Sequence, residues 1–368
     1  MKRRFLSEDA QARFDAARFD AIRSIGRIAR EEDCEFVLVC GDVFESNAVD
    51  RRTVARALEA LSELSVPVYL LPGNHDPLDG GSLYRSPAFA DHAPPHVHVL
   101  EDAQPQTVRP GLEIVGMPWM SKRPGRDLVA EACAGLAPAG DTTRIGVAHG
   151  SVDVLSPDRN DPARIVLADA EAALAEGRLH FLALGDRHSR TEVGETGRIH
   201  YAGAPEPTDW TEIEPGFVGI VDVDPARVEV RPRQVATWRF ERRRAIPLSS
   251  GADLDALEAW LTDLPEKGRC VLRLDFEGTL DLRGMARLEA LLEHARDLFA
   301  CVDVWEPDND LVVLPADEDF DALALSGFAA RAVDTLRERA STSDDAGAVA
   351  RDALALLVRL AGGVEAAG

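Results

Sequence analysis

Four short segments of the chain end an apolar run in side chains that can bind a cation or move a proton. Phe36–Cys40 leads into Gly41-Asp42, and Val66–Leu71 leads through Pro72 into Gly73-Asn74-His75-Asp76. Arg144–Ala148 leads into His149-Gly150, and His180–Leu184 into Gly185-Asp186-Arg187-His188-Ser189. Singly, each is ordinary: Asn and Asp are turn residues, and a histidine after a strand is more often a satisfied structural group than a ligand. Four such ends in one chain point to a shared site, because side chains just past the carboxyl ends of strands in an open α/β sheet converge on one crevice. The donors are carboxylate, amide oxygen and imidazole, with no cysteine among them. That set suits Mn²⁺, Fe²⁺ or Zn²⁺ and disfavours a thiolate-rich structural zinc site. Two such ions about 3.5–4 Å apart, bridged by a carboxylate, can bind a phosphate, generate a hydroxide and stabilise the leaving oxygen. A histidine beside the ligands can protonate the leaving group. His92, His96, His98, His180, His200 and His294 lack this context and read as structural or surface groups.

The elements that must position these residues follow a β-α-β-α rhythm. Phe14, Ala17, Ala21, Ile25 and Ile28 recur at helical spacing and predict an amphipathic helix over Ala10–Glu32, with Ser7 as its N-cap. Further helices are expected over Arg51–Leu64, Arg126–Gly135 and Asp169–Glu176, with strands near Val97–Leu100 and Leu112–Gly116. Strands apolar along their whole length belong to a sheet covered on both faces. Alternating strands run to about Arg233, and the stretch Arg231–Arg244, with Pro232 and a run of three arginines, is a boundary candidate. Beyond it, helices over Asp253–Leu264 and Leu282–Phe299 alternate with strands over Val271–Phe276, Val302–Trp305 and Leu311–Leu314. The expected organisation is a main domain over 1–235, a small α+β module over 236–340, and a loop (Ser341–Ala346) with a terminal helix (Gly347–Leu360) in 341–368.

Composition narrows the function classes. The chain has 368 residues, 45% of them hydrophobic, enough for one large domain and a smaller one. No apolar run approaches the roughly 20 residues of a membrane span, and the N-terminal residues lack a signal-peptide core, so no membrane partner and a cytoplasmic location are expected. Cys34, Cys40, Cys133, Cys270 and Cys301 form no C-x-x-C pair and read as reduced thiols. The net charge of −23 argues against a free-standing nucleic-acid binder. Lys appears only at Lys2, Lys122 and Lys267, so the basic residues are nearly all arginines, which suit bidentate phosphate contacts. An acidic chain can still handle phosphates when metal ions or a partner subunit supply the positive charge.

In order and spacing, "GDVFES", "PGNHD", "AHGS" and "GDRHS" resemble the calcineurin-like metallophosphoesterases. "GDVFES" followed by "NAVDRRTVARALEAL", with the later "YAGAPEPTDW", resembles the bacterial DNA-repair exonuclease branch of the SbcD and YhaO type. The resemblance covers about Phe14 to Arg233; the module beyond it is only loosely similar to the family's capping region. It implies an α/β fold, a four-layer α/β/β/α sandwich with a smaller α+β C-terminal capping module. It implies two divalent metal ions, expected to be Mn²⁺, with Asp42 as the bridging carboxylate. Asn74, His149 and Asp186 would complete the second ion's shell and His188 would bind the first. His75 would be the catalytic histidine and Asp76 would orient it. Arg187 and Arg190 flank the site as candidate DNA-phosphate contacts. The implied function is nuclease action on DNA in a repair complex, as a homodimer with an SbcC/Rad50-like coiled-coil ATPase.

Two departures matter. The last motif usually reads Gly-His-x-His, and here Asp186 stands for the first histidine, which shifts preference toward harder metals. The family also opens with a strand carrying Asp-x-His, and no Asp-x-His precedes Asp42; the first histidine is His75. Such a strand belongs inside the sheet, where its absence would strand buried backbone groups. The expectation is therefore that the natural chain begins earlier and that Met1 is an internal methionine. The competing expectations are a catalytically impaired short form acting as a binding or regulatory subunit, and a small-molecule phosphodiesterase.

Overall fold

The computed structural model describes residues 3–156, 158–313 and 327–340, together with 346, 347, 349, 350, 353 and 354. The loop expected over 341–346 and the helix expected over 347–360 lie largely outside the described residues. The described chain falls into two compact units, residues 11–238 in one and residues 3–10 with those from 239 onward in the other.

The first unit is layered. Helices α1 (Glu8–Glu31) and α2 (Arg51–Ser62) form an outer layer. Asp50 caps α2 by accepting the Thr53 N–H. The next layer holds three parallel strands in the order β1 (Val37–Val39), β2 (Val68–Leu70) and β3 (Val97–Val99), with the short helix α3 (Pro87–Ala90) between the last two. The second sheet contains β4 (Gln106–Arg109), β5 (Leu112–Met117), β6 (Thr143–His149), β7 (Phe181–Gly185), β8 (Thr191–Val193) and β9 (Ile199–Tyr201), ordered 4-5-6-7-9-8. Its strands β5, β6, β7 and β9 are mutually parallel, and β4 and β8 are antiparallel edges. Helices α4 (Leu128–Ala134) and α5 (Leu167–Ala175) cover its outer face.

Period-two alternation explains the layering. Val68 and Leu70 pack on Val54, Leu58 and Leu61 of α2. Tyr69 and Leu71 point the other way, onto Ile114, Ile145, Val147 and Phe181 of the second sheet. Outward residues Val115, Ala148, Leu182 and Leu184 meet Val129 and Cys133 of α4 and Ala170 and Ala173 of α5. Strands buried on both faces have no polar side, which is why they read as unbroken apolar runs. The result is the α/β/β/α arrangement of the calcineurin-like metallophosphoesterase fold.

A hairpin, β10 (Phe217–Val223) and β11 (Val228–Gln234), sends Val221 and Val223 into the same inter-sheet core and Ile220 against Ala21 and Ile28 of α1. It therefore lies, like β1, between helix and second sheet. Among the described residues β1 pairs only with β2, and β10 only with β11. The Val37 N–H donates to Pro67 and the Val39 carbonyl accepts from Leu71, so the backbone groups of Leu38 point to the other edge. Bonds at Gly216–Val235 and Asp224–Arg227 fix the hairpin's alternation, and they turn the Gly219 and Val221 backbone groups away from β11.

The second unit is wound from parallel strands: β12 (Arg239–Leu248), β13 (Cys270–Leu280), β14 (Cys301–Val304) and β15 (Asp310–Val313), every partner of β13 running parallel to it. Helices α6 (Gly251–Asp263) and α7 (Leu282–Leu298) supply Leu254, Leu257, Leu261, Leu288 and Leu292 to its core, and α8 (Phe328–Ala340) follows. The arginine run inside the boundary candidate is part of β12. Arg242 and Arg244 pair with Asp308, and Arg243 lies over the Trp260 ring at 4.6 Å.

The two unpaired edges make a prediction. In hydrogen exchange of the purified chain, the Leu38 and Val221 amides should exchange at least about ten-fold faster than that of Val147 in mid-sheet. Equally slow exchange would mean that both edges are covered.

Candidate active site

The carboxyl ends of β1, β2, β6 and β7 meet because their loops pass within contact distance, and glycine allows it. A Cβ built on Gly185 would lie 1.7 Å from the Cys40 carbonyl oxygen. One built on Gly73 would lie 2.3 Å from Asp42 Oδ1. The glycine preceding each acidic or amide residue is thus a requirement of close approach. Just past these glycines the backbone is constrained: Asp42 has φ 52° and Asp186 φ 94°, two of only six described non-glycine residues with positive φ. Aspartate tolerates this region better than most residues, and such positions cost on the order of 1–3 kcal/mol that the rest of the fold must offset.

His149 is the centre of the cluster. Its side chain is 1% exposed. Its Nδ1 lies 2.8 Å from the Cys40 carbonyl oxygen, which can only accept, so Nδ1 carries the proton. Nε2 then faces Asn74 Oδ1 at 2.9 Å, Asp42 Oδ2 at 3.4 Å and Asp186 Oδ1 at 3.8 Å. Burial opposes a charge on this imidazole, but the adjacent Asp42 more than compensates and raises its pKa. Asp42 is correspondingly held below the usual carboxylate range: burial works the other way, and the His149 contact and the His75 N–H bond outweigh it. Burial pushes Asp186 up, with His149 and Asp42 acting in opposite senses.

The Asn74 amide oxygen sits 3.0 and 3.1 Å from the two Asp42 oxygens and 2.9 Å from His149 Nε2. Three acceptors so close repel unless the amide turns its nitrogen inward or a cation lies among them. Ligands about 2.0–2.2 Å from one ion are themselves about 3.0–3.4 Å apart, which is the spacing of Asn74, Asp42 and His149. The donor set fits one divalent ion, with Asp186 the wider fourth member. For a second ion the fit fails among the described residues. Among the described residues no group of three or more His, Cys, Asp or Glu is placed to hold a metal.

His75 is exposed at the rim. Its N–H donates to Asp42 Oδ1 at 2.9 Å, and its Nδ1 lies 3.0 Å from the Glu45 carbonyl oxygen, leaving Nε2 for an incoming group. Asp76, expected to orient His75, does something else. It is fully buried, and its oxygens accept from the Gly73 N–H, the Phe44 N–H and the Tyr84 hydroxyl. Its bonds go to three loop groups and not to the His75 ring, whose Nδ1 meets the Glu45 carbonyl instead. Burial pushes the pKa values of both Asp76 and Tyr84 up.

His188 Nδ1 lies 2.8 Å from Glu212 Oε1 and 2.7 Å from Thr208 Oγ1. The two flanking arginines are engaged: Arg187 donates to Thr191 Oγ1, and Arg190 pairs with Glu214. Sequence reasoning missed Trp119, whose Nε1–H donates to the His149 carbonyl at 2.6 Å and whose ring meets the imidazole edge-on. Its backbone also ties Pro72 and Leu78 to the end of β5. The only signal was an aromatic just past an apolar run. Tyr84, Tyr201 (hydroxyl to the Gly150 carbonyl) and Glu212 carried none, since their roles come from distant segments.

Residues 15–180 match the family model described as calcineurin-like phosphoesterase. The crystal structure of TT1561 of Thermus thermophilus is similar at 11% identity, covering 60% of this chain and 94% of that one with a TM-score of 0.39. A second solved chain is similar at 16% identity, covering 60% and 95% with a TM-score of 0.39. No curated protein matches the chain. The family match supports the metallophosphoesterase superfamily and metal-dependent phosphoester hydrolysis as the general chemistry. No described helix is long and apolar enough to cross a membrane.

The division of labour at the β2 loop is testable by denaturation. Asp76→Ala leaves three buried donors without an acceptor, at about 1–3 kcal/mol each, so it should lower the unfolding free energy by about 3 kcal/mol or more. His75→Ala, at an exposed position, should cost less than about 0.5 kcal/mol. Equal costs would place the two residues in the same role.

Proposed function

We propose that the calcineurin-like phosphoesterase domain of this chain hydrolyses phosphodiester bonds in DNA with Mn²⁺, as the nuclease subunit of a repair complex. The observation that carries the hydrolytic reading is the convergence of the Asn74 side-chain amide, both Asp42 oxygens and His149 Nε2 within 2.9 to 3.4 Å of one another. DNA as substrate is supported by the "GDVFES" and "YAGAPEPTDW" segments, which resemble the DNA-repair exonuclease branch.

Asp42, Asn74, His149 and Asp186 would hold an ion, which when bound supplies Lewis acidity toward a phosphoryl oxygen and toward water. The Cys40 carbonyl keeps the His149 lone pair on Nε2, facing that ion's position. His75, held by Glu45 through Nδ1, turns Nε2 to an incoming group, where it would assist departure of the leaving oxygen. Asp76 and Tyr84 hold the loop that carries Asn74 and His75 in place. Arg187 and Arg190, close in sequence to Asp186 and His188, are held by Thr191 and Glu214, and their release would free them for backbone phosphates.

The net charge of −23 fits a subunit whose DNA affinity comes from bound cations and from a partner. An SbcC/Rad50-like coiled-coil ATPase and a second copy of this chain are the proposed partners, both resting on the same resemblance, and the cytoplasm is the proposed location, from the unpaired cysteines.

The test is hydrolysis of linear DNA and of bis-p-nitrophenyl phosphate with Mn²⁺, alongside a chelator control. Both should be cleaved and chelation should abolish the activity. His75→Ala should lower the rate about 10²- to 10⁴-fold. Cleavage of the small diester alone would replace the nuclease with a small-molecule phosphodiesterase. Cleavage of neither would leave a binding or regulatory subunit.

A further inference from the structure

The loop between β5 and α4 leaves the second sheet beside the site. β5 runs parallel to β6 with Met117 level with Ala148, so Trp119 emerges near the height of His149. The loop is fixed at both ends. At its start the Trp119 N–H donates to the Pro72 carbonyl, its carbonyl accepts from the Leu78 N–H, and its Nε1–H reaches the His149 carbonyl. At its end Asp127 accepts from the Val129, Ala130 and Val166 N–H groups. Between these posts the chain reads Met120-Ser121-Lys122-Arg123-Pro124-Gly125-Arg126. Met120, Lys122, Arg123 and Arg126 are exposed, and a Cβ built on Gly125 would meet nothing within 4 Å.

Neighbouring cations are engaged within the chain: Arg126 pairs with Glu131, Arg190 with Glu214, and Arg187 donates to Thr191. Lys122 and Arg123 take no acceptor among the described residues. In a chain of net charge −23, two adjacent cations held out into solvent complete no ion pair of the fold. Three of the six exposed large apolar side chains of the described residues lie at the same end of the sheet. Met120 follows β5, Val154 follows β6, and Ile213 lies in the loop after β9, its N–H bonded to Ser189 Oγ. Free cations next to exposed apolar groups suit a nucleic-acid strand, whose phosphates take the charges and whose sugars and bases take the apolar contacts. The Lys122 Cα lies three residues from Trp119, hence within about 11 Å of its Cα, a span of about three nucleotides at ~3.4 Å each. We propose that the 120–126 loop holds the DNA backbone beside the site, with Lys122 and Arg123 on phosphates a few nucleotides from the bond to be cut and Met120 against the sugars between them. This rests on DNA being the substrate, as proposed above. The two cations position the strand and do not touch the reacting atoms. The fixed ends of the loop lower the ordering cost of binding.

The test is binding of the full chain to a short labelled duplex, read by fluorescence anisotropy from about 50 to 200 mM salt at constant Mn²⁺. His75→Ala serves as the parent, so that cleavage is slow while binding is read. Each phosphate contact contributes about 0.9 to the slope of log affinity against log salt. Lys122→Gln and Arg123→Gln should each lower the slope by about that amount and weaken binding about 5- to 10-fold at ~0.1 M salt. Lys122→Arg should keep the parental slope. So should Arg30→Gln, which removes an exposed cation near the end of α1, before the start of β1. All these positions are exposed, so the variants should unfold at the parental temperature. Parental slopes in Lys122→Gln and Arg123→Gln overturn the proposal; a loop that serves an acidic protein partner would give that result. An equal loss in Arg30→Gln also overturns it, because the contact would then be spread over the surface. Loop-dependent DNA binding by a chain that cleaves no DNA with His75 present sustains the proposal and removes the nuclease reading. A parent that binds no DNA at low salt overturns the proposal, and hydrolysis of bis-p-nitrophenyl phosphate then still reports on the metal-dependent chemistry.

Discussion

The site depends on one close approach, the Cys40 carbonyl lying against Gly185 and accepting the proton of His149 Nδ1. That contact joins the end of β1 in the first sheet to the ends of β6 and β7 in the second. It excludes any side chain at position 185, fixes the tautomer of His149, and delivers Asp42 two residues later with its carboxylate beside Nε2. Moving the two sheets apart by a single methyl group would separate the imidazole from the carboxylate and the amide. The apolar core between the sheets, Tyr69 and Leu71 against Ile145, Val147 and Phe181, keeps that spacing.

The polar groups around this contact oppose one another. Asp42 acts on both Asp76 and Asp186, and burial pushes all three carboxylates up, though the His149 and His75 contacts outweigh it for Asp42. Asp42 and Asp186 also sit on constrained backbone. The structure keeps these groups in place by giving each a donor or a cation-like neighbour: three loop donors for Asp76, an imidazole and a backbone N–H for Asp42. Such concentrated strain and repulsion is characteristic of sites whose geometry is used. A divalent ion among Asn74, Asp42 and His149 would relieve it.

The same logic extends to the arginines. Arg187, Arg190, Arg242 and Arg244 are each held by a local partner, so these guanidinium groups already answer acceptors within the chain itself.

How much was legible in the sequence follows from which interactions are local. The unbroken apolar runs announced doubly covered strands, because period and residue type are properties of short segments. Val68–Leu70, Thr143–His149 and Phe181–Gly185 lie within two residues of where the pattern puts them. Asp42, Asn74, His149 and Asp186 were legible for the same reason, each lying just past a run and beside a glycine. What no local pattern carried was which group touches which. Asp76 adjoins His75 in sequence, yet it bonds Gly73, Phe44 and Tyr84, while a carbonyl from the β1 loop orients the histidine. Glu212 meets His188 across 24 residues, and that the edges of β1 and β10 find no partner among the described residues is visible only once the sheets are assembled. Residue type and spacing determined the chemistry available to this protein. Only the tertiary structure decided the partner of each group, because hydrogen bonds between loops depend on how two sheets pack and not on order along the chain.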